Sequence, residues 1–106
     1  MSTLERTRAP RATPEGLQQA VRFALGEGAA LAREGRSAVR SVIYAVTARA
    51  VLEAGVETPL SAGLLQALEE GERSETCESA AQVLEAGLRR FLSGLIARER
   101  APLSLS

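Results

Sequence analysis

One hundred and six residues fit a single domain, and a chain of that size buries only about 65% of its unfolded surface, so a partner surface would add materially to its stability. Its 13 basic residues are all Arg and its 13 acidic residues all Glu, with no Lys, Asp, Asn or His, and most catalytic and metal-binding vocabularies need the missing types. Zero net charge removes any global pull toward nucleic acid or an anionic membrane.

Residues 1–12 are polar, Arg-rich and interrupted by Pro10, a composition that cannot order itself by burial, and they read as a flexible arm without the apolar core of a secretory signal. A single helical domain is expected over 13–100. Thr13-Pro14-Glu15 offers a capping hydroxyl, a proline at the first helical position and an acid in the first turn, which predicts a first helix running to about Arg33. Within it Ala20, Ala24, Gly28 and Ala32 recur every four residues and form a ridge that another helix can approach closely, flanked by Leu17, Val21, Leu25 and Leu31. Gly35 followed by Ser37 as N-cap separates this helix from the next, with a helix continuous through Gly35 as the alternative.

The second helix is predicted over Ser37–Ala54 and ends at Gly55. It has Val39, Val42, Ile43, Val46 and Ala50 on one side and Ala38, Ser41, Ala45 and Ala48 on a neighbouring side. A helix apolar almost all round belongs at the centre of a bundle or in a subunit interface. Thr58-Pro59-Leu60-Ser61 then caps a short third helix with Leu64, Leu65 and Leu68 as its buried face and Gly71 as its stop. A fourth helix starts near Ser74 or Thr76, and its apolar positions Cys77, Ala81, Leu84, Leu88, Phe91 and Leu95 alternate steps of four and three, a heptad seam. That seam needs a long partner, either the second helix or a second copy of the fourth. Residues 101–106 are expected to fray. No internal duplication relates 14–54 to 61–100 beyond shared composition.

The candidate chemistry is sparse. Glu69, Glu70, Glu72, Glu75 and Glu78 could converge on a cation as in a metal-dependent hydrolase, but Gly71 interrupts the run, and acids in the first turn of a helix need no further explanation. Cys77 near a helix N-terminus could be activated, yet Glu75 and Glu78 oppose ionisation and no His is available as base, so it is expected to pack in the seam. Gly26-Glu27-Gly28 begins like a dinucleotide fingerprint without its third glycine or a preceding strand. Arg33, Arg36 and Arg40 would share a face if the chain were helical through Gly35, and with Arg89 and Arg90 they make a candidate phosphate-contacting patch, although no aromatic platform accompanies them. Ser41–Ala48, the longest strongly apolar stretch, falls far short of the ~20 residues that span a bilayer.

The expected architecture is therefore all-α: a small bundle of about four helices, helices two and four central, assembling as a homodimer or higher oligomer. The expected function is a non-catalytic helical protein–protein interaction module, an adaptor, assembly subunit or regulator of a larger partner. Its surface is expected to comprise Val39, Val42, Ile43, Val46, Ala50, Ala20, Ala24 and Gly28. The alternative is a small accessory subunit binding DNA or RNA through Arg33, Arg36, Arg40, Arg89 and Arg90. No cofactor, metal, small-molecule substrate or membrane is expected, and the single cysteine fits a cytoplasmic setting.

Overall fold

The computed structural model of the chain describes residues 14–55 and 60–100. The sequence readings of 1–13 as arm and cap, of the Thr58-Pro59 turn and of the 101–106 tail lie outside these residues. Four helices and no strand form among those described: α1 (Pro14–Arg33), α2 (Ser37–Glu53), α3 (Leu60–Arg73) and α4 (Cys77–Arg100).

Gly35 sets the first break. It takes φ +73°, a left-handed conformation that costs a residue with a Cβ about 1–2 kcal/mol. The Arg36 amide donates to the Leu31 carbonyl at 3.0 Å and the Gly35 amide to Ala32 at 3.1 Å, which closes the carbonyl end of α1 in a Schellman motif. The N-cap of α2 is Arg36 rather than Ser37, and no side chain caps it. Gly55 at φ +84° ends α2 in the same left-handed way. Thr76 caps α4: its Oγ1 accepts the Ser79 amide at 3.0 Å, and Glu78 stands in the first turn where the helix dipole favours an anion.

α2 and α4 are central, each packed against all three other helices, whereas α1 and α3 scarcely meet. One core joins all four. α4 contributes Ala81, Leu84, Leu88, Phe91 and Leu95, α1 contributes Val21, Ala24 and Leu25, α3 contributes Leu64 and Leu68, and α2 contributes Tyr44, Ala48 and Val51. The heptad seam thus forms as read from Ala81 onward, with α2 and α3 filling it from within the same chain.

Three further local readings are corrected. Cys77 is exposed, because as the first residue of α4 it lies beyond the end of the packed seam. Gly71 does not stop α3, which runs on to Arg73; a Cβ at Gly71 would meet Leu84 at 3.4 Å, an ordinary contact distance. Leu65 is 49% exposed, and Ala67 takes the inward position beside Leu64 and Leu68.

Candidate interaction surface

α2 presents two apolar sides, and the fold uses one of them. Tyr44, Ala48 and Val51, spaced by four and three, face the core and are almost completely buried. Tyr44 is the largest side chain of α2, so turning it inward removes more apolar area from water than burying any one valine would. Gly28 makes this orientation feasible: a Cβ there would collide with the Tyr44 ring and hydroxyl.

A polar clamp secures the same orientation. Arg40, four residues before Tyr44, donates from Nε to the Tyr44 hydroxyl at 3.4 Å and from Nη2 to Glu85 Oε1, and its guanidinium carbon lies 5.5 Å from the Tyr44 ring centroid. Arg89 donates to Glu85 Oε2 from Nε at 3.0 Å and from Nη2 at 2.8 Å. The Arg40 side chain is only 11% exposed, and its hydrogen bond to the Tyr44 hydroxyl is the main cause that raises its pKa above the ordinary arginine value; burial opposes, and the Glu85 charge adds to the rise. This partly buried pair ties α2 to α4.

With Tyr44 inward, the opposite side of α2 lies in solvent. Val42 and Val46 are each 58% exposed and Val39 38%, so that these three step along one ridge. Ile43 is half-buried and Ala50 exposed beside it. A groove of about 440 Å³ runs between this ridge and α1, lined among others by Gly16, Leu17, Ala20, Val46, Thr47 and Ala50, and among the described residues no ionisable side chain lines it. Phe23, 69% exposed, follows Ala20 by three residues on the same flank of α1. On the other side of the ridge a smaller groove lies against α3 and α4, lined among others by Val42, Ala45, Leu68 and Leu84 and bordered by the Arg49–Glu72 pair at 3.5 Å.

The sequence-derived surface residues therefore divide. Val39, Val42, Val46, Ala50 and Ala20 stand exposed on one continuous apolar face, with Ile43 at its edge. Ala24 and Gly28 are buried and serve the contact of α1 with the rest of the bundle, so they are unavailable to a partner. The arginines divide more sharply. The break at Gly35 separates Arg33 from Arg36 and Arg40. Arg36 pairs with Glu34 at 3.8 Å, Arg40 and Arg89 converge on Glu85, and Arg90 lines a different groove between α3 and α4 with Gln66 and Glu70. They do not gather into one basic patch.

Sequence reasoning passed over Tyr44 and Glu85. The four-and-three spacing of Tyr44, Ala48 and Val51 was the available signal for the first; for Glu85, only the tertiary approach of α4 to Arg40 reveals it. Among the described residues no three acidic or thiol side chains are grouped to hold a metal ion, and no helix is long and apolar enough to cross a membrane. No family model, curated protein or solved structure matches the chain.

Proposed function

We propose that the protein is a non-catalytic helical interaction module, an adaptor or assembly subunit, whose working surface is the outward ridge of α2 with the adjoining flank of α1. The observation that carries this reading is the exposure of Val39, Val42 and Val46 on one side of a central helix, next to a groove whose described lining carries no charge. Folded monomers expose single apolar residues freely, but a contiguous apolar face of this kind marks a contact surface. Burying one valine fully is worth about 1.5–3 kcal/mol, so covering the ridge supplies useful binding energy. The nucleic-acid reading is the weaker one, because its arginines are distributed over separate places and several are engaged with Glu. A cytoplasmic setting fits a chain with one unpaired cysteine.

Site-specific photocrosslinking tests the reading. A photoreactive residue at position 46 is expected to give a discrete protein adduct in living cells, whereas the same residue at exposed Gln82 on α4 is expected to give none. Absence of any protein adduct from position 46, with the variant folded, sinks the proposal.

A further inference from the structure

Resting on that reading, we infer that the occupant of the α2 ridge is a second copy of this chain, packed antiparallel about a two-fold axis that crosses α2 near Tyr44. Two independent features point to it.

The first is charge. A helix prefers acids in its first turn and bases in its last. α2 has neither: its first turn holds no acid, its last turn no base, Arg36 occupies the N-cap and Glu53 ends the helix. Both charges are exposed and oppose the dipole of their own helix. An antiparallel second copy removes the conflict, because it brings Glu53 of one chain to Arg36 and the positive end of α2 in the other, and the symmetry makes this contact twice. A parallel arrangement would instead set Arg36 against Arg36 and Glu53 against Glu53.

The second is shape. The ridge of Val39, Val42 and Val46 runs between two grooves, one against α1 and one against α3 and α4. Ridge beside groove is the self-complementary form that an isologous contact requires, since each chain offers the ridge that the other chain's groove receives. With the axis near position 44, Val42 of one chain faces Val46 of the other and Val39 faces the stem of Arg49. The side chains at the crossing are Val, Ala and Thr, short enough for close helix approach.

The test uses the full chain. Light scattering over a concentration series is expected to give twice the chain mass. Arg36→Glu and Glu53→Arg are each expected to raise the dissociation constant about tenfold by replacing attraction with repulsion, and the double exchange to return it to within about threefold of the original. Each single change also corrects the dipole mismatch of α2, which for Arg36→Glu offsets the loss of the exposed Arg36–Glu34 pair, so neither should destabilise the monomer; a variant that weakens association without lowering the thermal midpoint measured at high dilution excludes misfolding as the cause. On a Cys77→Ser background, oxidation should join Val42→Cys chains to Val46→Cys chains in a mixture far more efficiently than it joins either kind to itself. A monomer at every concentration, a mass other than two chains, or a dimer indifferent to the charge exchanges overturns the inference. A heterologous adduct from position 46 beside a monomeric chain would overturn it too, while leaving the interaction module in place.

Discussion

α2 and α4 occupy the centre of the same bundle, yet their outer surfaces differ. α4 buries one seam, Ala81, Leu84, Leu88, Phe91 and Leu95, keeps Val83, Leu92 and Ile96 half-buried beside it, and gives its outer side to Gln82, Arg89, Arg90 and Arg98. α2 buries Tyr44, Ala48 and Val51 and leaves Val39, Val42 and Val46 in solvent. Polar residues choose the outward face of α4. In α2, where Arg40 and Arg49 are the only charges before the last residue, size makes the choice, and Tyr44 decides which side turns in. Hydrophobicity alone therefore identifies a central helix but does not say which of its sides the chain itself will cover.

The strongest way to break the comparison is on the α4 side. Leu88 is fully buried at the middle of the seam, so Leu88→Ala should remove about 2–5 kcal/mol of stability through lost transfer energy and the cavity left behind. Urea denaturation measures it. A loss below about 1 kcal/mol would mean that the seam is loosely packed and that α4 differs less from α2 than its burial indicates.

Next in size is the choice made within α2. Gly28→Ala would favour the helix by about 1 kcal/mol on intrinsic propensity, but the added methyl meets the Tyr44 ring where it turns inward. Overpacking of this kind costs about 1–3 kcal/mol, so the variant should be net destabilised, and near-ultraviolet circular dichroism of Tyr44, the chain's one tyrosine, should change with it. A Gly28→Ala protein more stable than the parent would show that Tyr44 has another place to go, and that size is not what orients α2.

How much of this was readable in advance follows from the same contrast. The seam of α4 was legible from Ala81 to Leu95 because periodicity and outward charge agree there. The α1–α2 break was readable only as one of two alternatives, because a glycine such as Gly35 can end a helix or lie within one, and its left-handed conformation in the fold decides for the break. Gly71 carried the same letter without the same effect: it lies inside α3 and interrupts nothing, and only the folded chain distinguishes a glycine that makes a turn from one that stays helical. Cys77 fits the heptad spacing but precedes the packed part of the seam, so periodicity without a neighbour misplaced it. On the candidate surface, Val39, Val42 and Val46 were recognisable from composition, whereas the grooves beside them depend on where α1, α3 and α4 lie.

The smallest expected effect on the fold is the sharpest probe of the difference. Val46→Glu replaces an apolar side chain of a central helix with a charge, a change that at Leu88 would bury an unpaired carboxylate. At position 46 the side chain is more than half exposed, and Glu is the better helix former, so the stability of the isolated chain should stay within about 0.5 kcal/mol of the parent. The effect should appear instead in association: where the parent's unfolding midpoint rises with protein concentration, as linkage requires of a chain whose folded state self-associates, that dependence should vanish in Val46→Glu. The two readouts separate the two roles of α2, since a residue that holds the monomer together shifts the midpoint at every concentration, and a residue that holds copies together shifts only its slope. A concentration-independent loss of several kcal/mol would place Val46 inside the fold and make α2 a buried helix like α4.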